Sequence, residues 1–204
     1  MISLGSLFSR KDAPLMGMDV SSSSVKLVEL NRTADGQFVL ERCAIEMLER
    51  GWITDGHIDK FDEVAEAMRR VVKKSGTKTK NVAIALPASA VITKKVILPG
   101  GLSELELEVQ VEAEANQYIP FSLDEVSLDF CVIGPSNASA GDVEVLIAAS
   151  RKEKVQDRQG LAEAAGLKAV VLDIESYASR MAAGRLIQAL PQGGVDTMVA
   201  LFEV

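Results

Sequence analysis

The residues whose types and spacing could do chemistry gather in one stretch, Met16-Gly-Met-Asp-Val-Ser-Ser-Ser-Ser-Val-Lys-Leu-Val-Glu-Leu30. An apolar strand runs into Asp19, four serines turn the chain, and a second apolar strand returns from Val25 to Leu30. One carboxylate, a cluster of hydroxyls and several backbone N–H groups thus share a hairpin tip. Amides and hydroxyls can meet the oxygens of a phosphate chain, and Asp19 can meet Mg²⁺ or its waters. The same residues also suit a plain polar turn, since Ser and Asp are ordinary turn formers.

Other reactive types are sparse. His57 is the single histidine and no CxxC occurs, so a zinc site or a Ser-His-Asp triad would have to rest on His57. Asp55-Gly-His57-Ile-Asp59 can be drawn as metal ligands, but it reads better as a loop of turn formers. Cys43 and Cys131 stand alone in apolar runs and read as small core hydrophobes in a reducing compartment. The net charge of −7 argues against nucleic acid as a partner. The basic runs Lys73-Lys74 to Lys78-Thr-Lys80 and Arg151-Lys152-Glu-Lys154 then read as solvated surface.

No apolar run reaches the roughly 18 residues of a membrane span. Residues 1–13 lack the long apolar centre of a signal peptide, so a cytosolic chain is expected. Within them Ile2, Leu4, Leu7 and Phe8 precede Arg10-Lys11, a weakly amphipathic pattern that suits a tail or a partner contact and is too short to anchor alone.

The elements that must position the hairpin follow from periodicity. Strands are expected at 15–20, 25–31 and 37–47, with Thr33-Ala-Asp-Gly36 turning the second hairpin. Residues 52–58 read as a loop. A helix is expected at 60–75: Val64, Ala65, Met68, Val71 and Val72 share a face, and Gly76 ends it. Asn81 to Leu86 is a buried strand, so the order βββαβ begins a mixed sheet.

After Pro87-Ala-Ser89 a strand runs from Val91 to Leu98. From Leu105 to Ala115 apolar and polar residues alternate strictly, a pattern that normally marks a strand. The segment 103–118 is nevertheless expected to be a helix. Leu, Glu, Gln and Ala favour helices, and Glu and Ala are poor in strands. Ser103 with Glu106 makes a capping box, and Leu102 with Leu107 a hydrophobic staple. On that helix Leu105, Val109 and Ala113 form one stripe and Leu107, Val111 and Tyr118 another. One stripe can cover a sheet and the other needs a second surface, a neighbouring subdomain or a partner; the expectation is that this chain fills both.

Strands at 126–133 and 142–149 and a helix at 151–165 complete a β-α-β-β-α unit over 90–165. A strand at 169–174 rejoins the first sheet, and a helix at 176–189 follows. The expected domains are a tail at 1–13, a first subdomain at 14–89 and 166–190, the interpolated unit at 90–165, and a linker with a strand at 191–204. That strand reads as the first of a second half that this chain lacks.

These pieces resemble a family. Gly17-Met-Asp-Val-Ser-Ser-Ser-Ser-Val-Lys26 is similar to the first phosphate motif of the actin-like ATPases, notably the FtsA group. Three stretches resemble the PilM family of type IV pilus assembly within that group. They are Gly17–Leu30, Glu112-Ala-Glu-Ala-Asn-Gln-Tyr-Ile-Pro-Phe121 with Leu123-Asp-Glu-Val126, and Val170-Val-Leu-Asp-Ile-Glu-Ser-Tyr-Ala178. The resemblance implies an α/β fold, an actin-like (ribonuclease H-like) first domain with a mixed sheet and an interpolated FtsA-type β-α-β-β-α subdomain.

It also implies roles. ATP and Mg²⁺ are the implied cofactors, with Asp19 near the metal and phosphates, Ser21, Ser22, Ser23 and Ser24 lining the loop, Lys26 approaching it, and Glu175 near the terminal phosphate or its water. The implied partner is the N-terminal cytoplasmic peptide of the inner-membrane protein PilN, held in a groove between the first and interpolated subdomains. Other inner-membrane pilus proteins and self-association are also implied, with a cytoplasmic place peripheral to the inner membrane and a part in twitching motility.

Two function classes follow. One is a scaffold that holds a partner's tail. The other is an ATPase or kinase-like phosphotransferase on the same superfold, since fold alone does not decide. Phosphoryl transfer needs a clamp around the terminal phosphate. With the second phosphate motif and adenosine pocket expected outside this sequence, nucleotide affinity is expected to be weak and the scaffold is favoured. A division filament of the FtsA kind is disfavoured by the Gln117–Phe121 segment.

Overall fold

The computed structural model describes residues 14–202. The expected tail at 1–13 lies outside the described residues. In chain order the elements are β1 (Met16–Val20), β2 (Ser24–Arg32), β3 (Phe38–Met47), the short β4 (Ile53–Thr54) and β5 (His57–Ile58), α1 (Phe61–Ser75) and β6 (Asn81–Leu86). They continue with β7 (Val91–Pro99), α2 (Glu104–Tyr118), β8 (Val126–Pro135), β9 (Asp142–Arg151), α3 (Lys152–Ala164), β10 (Lys168–Ile174) and α4 (Glu175–Gln188). Two compact units form among the described residues: 14–54 with Ile58–Ile84 and Leu161–Val171, and Asp55–His57 with Ala85–Gly160 and 172–202.

A five-stranded sheet in the order β10-β6-β1-β2-β3 organises the first unit. β1 runs antiparallel to β2 and parallel to β6, so the sheet is mixed. Strand alternation puts Met16, Met18, Val20, Val25 and Leu27 on one face, all buried. α1 packs against β2 and β3 and buries Val64, Ala65, Ala67, Met68 and Val71. Gly76, at φ 67°, ends it in the left-handed conformation that glycine adopts without strain.

The same alternation turns Glu29 toward the buried face, where it is 8% exposed. Its carboxylate accepts from Thr77 Oγ1 at 2.7 Å and from Thr79 Oγ1, with Arg42 Nε 3.6 Å away. Burial pushes the Glu29 carboxyl up, but the Thr79 and Thr77 hydroxyls and the Arg42 guanidinium outweigh it and hold the group below its ordinary range. On the edge strand, Lys74 Nζ donates to the Ile45 carbonyl at 2.8 Å.

The other face of this sheet keeps apolar side chains in solvent: Val28, Leu30, Leu40 and Ile45 are exposed. Cys43 pairs across from Val28 on that face and is exposed, which corrects the core assignment. The sequence pattern was apolar, but α1 covers only one side. The 52–58 segment carries the two-residue ladder β4–β5 where a loop was expected.

The second unit is built on the antiparallel sheet β7-β9-β8. α2 is a helix despite its alternating pattern, because both halves of the capping box form. Glu106 N–H donates to Ser103 Oγ, and Ser103 N–H donates back to Glu106 Oε2 at 2.8 Å. Val111 packs with Val96, Leu98, Val145 and Ile147, with Leu107 beside them. The opposite stripe is not filled: Leu105 is 75% and Val109 64% exposed, which corrects that expectation. A 3.6-residue period sends the two stripes to opposite sides, and only one side meets the sheet.

Cys131 lies in edge strand β8 opposite Leu146, away from the α2 side, and is exposed rather than core. Just past α3, Gly166 turns the chain: the Leu167 N–H reaches the Ala162 carbonyl at 2.8 Å and the Gly166 N–H the Glu163 carbonyl at 2.9 Å. α4 buries none of its residues. The strand expected over 196–204 does not form among the described residues, where Met198 is 98% exposed. A strand needs a neighbour to pair its N–H and C=O groups, and among the described residues no strand pairs with it.

Candidate functional site

The serine hairpin divides its labour. Asp19 and Lys26 are directly opposed across β1 and β2, on the sheet face that α1 does not cover. Lys26 Nζ donates to Asp19 Oδ2 at 2.8 Å, and both side chains are partly exposed. The Ser21 N–H donates to the Ser24 carbonyl at 3.0 Å, its hydroxyl reaches the same oxygen at 3.1 Å, and Ser24 is buried. The Leu48 N–H donates to the Ser23 carbonyl at 2.8 Å. Ser21 and Ser24 therefore close the turn, while Ser22 and Ser23 stand exposed at the tip.

Glu175 is the first residue of α4 and belongs to the second unit. The neighbouring Asp173 turns its Oδ1 to the Ile174 N–H at 2.7 Å. Among the described residues no three of His, Cys, Asp and Glu gather as a metal cluster. Mg²⁺ on a nucleotide does not require one, because a single carboxylate, phosphate oxygens and water suffice. One carboxylate, one ammonium and two exposed hydroxyls fit one side of such a phosphate chain.

The second unit holds a pocket of about 190 Å³. Ile92, Ile119, Phe121, Val126 and Ala149 give it an apolar lining, and Arg151 and Lys154 stand among its walls. Ile119 and Phe121 of the Tyr118-Ile-Pro-Phe121 segment are among its lining residues. Ile119 is buried against Ala115, Val126 and Ala149. Arg151 lies over the Phe121 ring at 5.3 Å, and Lys94 over the Tyr118 ring at 4.5 Å. Arg151 Nη1 also meets Glu153 Oε1 at 3.3 Å. Lys154 Nζ lies 3.1 Å from His57 Nδ1. In the following turn, Ser122 donates to the Asp124 carboxylate, which with the backbone and Lys152 holds that carboxyl below its ordinary range.

Sequence reasoning took Arg151-Lys152-Glu-Lys154 as solvated surface, yet two of its cations help to line this pocket. The pairing of that run with the Tyr118–Phe121 aromatics was the signal available. It lies about thirty residues away and needs the register of β9 to be seen.

The family model described as type IV pilus assembly protein PilM matches residues 17–204. The chain is similar to a solved PilM-PilN type IV pilus biogenesis complex at 28% identity and TM-score 0.75, covering 86% of this chain and 51% of that one. It spans about half the length of the matched chain. Another similar structure is the cytoplasmic domain of EpsL, an inner-membrane component of the type II secretion system of Vibrio cholerae. That match has 14% identity and a TM-score of 0.48, over 79% of this chain and 57% of the other.

Proposed function

This chain belongs to the PilM family of type IV pilus assembly proteins, with its actin-like α/β fold, and from that premise we propose that it is an adaptor. It holds the N-terminal cytoplasmic peptide of the inner-membrane protein PilN and thereby stands at the inner face of the inner membrane. The observation that carries this reading is the likeness to the solved PilM-PilN complex at TM-score 0.75. Exposed Leu105 and Val109 on α2, and Val28, Leu30 and Ile45 on the first sheet, support it. Apolar surface of that kind marks contact sites. Among the described residues no helix is long and apolar enough to cross a membrane.

Calorimetry with a synthetic peptide of the PilN N-terminus from the same organism tests the reading. One peptide per chain is expected. No heat and no anisotropy change with a labelled peptide at about 1 mM, where even a binding free energy near −4 kcal/mol is visible, would overturn it.

For the hairpin, the reading is one wall of a phosphate site. The Ser22 and Ser23 hydroxyls and the Lys26 ammonium would meet phosphate oxygens, and Asp19 would meet Mg²⁺ or its waters. Releasing Lys26 from Asp19 costs little, because an exposed pair is worth about 0–1 kcal/mol. So few groups on one side hold a nucleotide weakly, and a fluorescent ATP analogue is expected to bind this chain only at millimolar levels. Micromolar binding that Asp19→Ala abolishes would favour an ATPase or kinase-like phosphotransferase over the adaptor.

A further inference from the structure

We propose that the outward stripe of α2, Leu105 and Val109 with Glu108 and Glu112 along its flank, docks a cationic amphipathic helix of a partner protein. This goes beyond the adaptor reading above, in which Leu105 and Val109 count only as exposed apolar surface, and it stands or falls without PilN.

Three observations carry it. The first is apolar exposure with no reason inside the chain. α2 packs Val111 and Ala115 against its own sheet, whereas Leu105 is 75% and Val109 64% exposed on the opposite side. A β-branched residue at an exposed helix position lowers helix propensity and gains no burial, so the stability of α2 does not explain Val109.

The second is charge. α2 carries Glu104, Glu106, Glu108, Glu112 and Glu114 and no lysine or arginine. Residues three and four apart are neighbours on a helix, so Glu108 adjoins Leu105, and Glu112 adjoins both Val109 and Glu108. Both carboxylates are exposed, and among the described residues neither is taken up in an ion pair. The sign of this field chooses the occupant. A second copy of α2 would bring the same carboxylates, and an anionic lipid surface would be repelled likewise. A helix with lysine or arginine beside its apolar stripe is attracted instead.

The third is rigidity. Leu105 sits in the first turn, which the reciprocal bonds of Ser103 and Glu106 hold closed. Helix ends otherwise fray, so the cap leaves little ordering for the binding step. A helix laid along α2 can meet Leu105 and Val109 with apolar residues at its own three- and four-residue spacing.

The experiment titrates the whole chain, labelled at Leu and Val methyls, with three acetylated and amidated peptides. Each is two repeats of a heptad: Leu-Lys-Lys-Leu-Ala-Lys-Lys, Leu-Glu-Glu-Leu-Ala-Glu-Glu or Ala-Lys-Lys-Ala-Ala-Lys-Lys. The lysine-leucine peptide is expected to shift the Leu105 and Val109 signals saturably. The glutamate-leucine peptide is expected to leave them in place. The lysine-alanine peptide keeps the charge and loses the apolar contact, so it is expected to bind about tenfold more weakly. Glu108→Gln with Glu112→Gln changes two exposed groups, so the amide spectrum of the fold persists. That variant is expected to bind the lysine-leucine peptide about fivefold more weakly, within reach of two exposed ion pairs. No saturable shift at Leu105 and Val109, equal shifts from the lysine-leucine and glutamate-leucine peptides, equal affinity for the lysine-alanine peptide, or unchanged affinity in the glutamine variant would each overturn the proposal. Shifts at Val109 that follow chain concentration without peptide would assign the stripe to a second copy and overturn it too. The PilN calorimetry above can succeed or fail without moving any of these outcomes.

Discussion

α1 and α2 have the same length, fifteen residues each, and are stabilised in opposite ways. α1 buries five residues and its N-terminus has no side-chain cap. α2 buries only Val111 and Ala115, but its first turn is closed by a full capping box. A helix that packs a whole face needs little help at its end, whereas one with a single narrow buried stripe gains proportionally more from its cap. The difference begins in sequence: α1 repeats apolar residues at helical spacing, and α2 alternates them, so half of its apolar surface faces away from its sheet.

Substitutions can break that contrast, the largest effects first. Val111→Asp places a charge in the buried α2 contact and is expected to cost more than about 4 kcal/mol, seen as loss of the second unit's dispersed amide signals. Met68→Ala empties the α1 contact and is expected to cost about 2–5 kcal/mol in urea unfolding. Glu29→Gln, beside the α1 face, is expected to cost about 1.5–3 kcal/mol near neutral pH through its charged hydrogen bonds. Because the folded Glu29 carboxyl lies below its ordinary value, its contribution is present above the unfolded value of about 4.3 and is lost as pH falls through the folded one. The variant should therefore show a flatter acid limb.

Ser103→Ala removes the α2 cap and is expected to cost about 1 kcal/mol, a larger share of α2's stability than any change at the start of α1. Val109→Asp, on the exposed stripe, is expected to stay within about 0.5 kcal/mol of the parent. A stability loss there comparable to Val111→Asp would mean that the stripe is covered in solution.

Local rules made much of this legible. The hairpin strands, α1 with its glycine stop, and the α2 helix all follow from side-chain periodicity and capping. The capping box overrode the misleading alternation of α2. What could not be read was which side of each sheet a helix would cover. Cys43 and Cys131 looked like core because their strands are apolar, and both lie on the uncovered side. Nothing in the sequence singles out Glu29, yet the β1–β2 register turns it inward. At the hairpin, four equivalent serines in sequence became two structural and two exposed ones, a distinction set by the Ser21–Ser24 hydrogen bonds. The 196–204 pattern suited a strand, but pairing depends on a neighbouring strand that no local pattern provides.

The Lys74 ammonium on the Ile45 carbonyl has a consequence for crowding. β3 is a ten-residue margin with Leu40, Ile45 and Met47 in water, the composition that invites a foreign strand to zip on and start an aggregate. A cation parked on one of its acceptors spoils the ladder such a strand would need. The apolar surface of this sheet can then stay open without inviting fibrils at high local concentration.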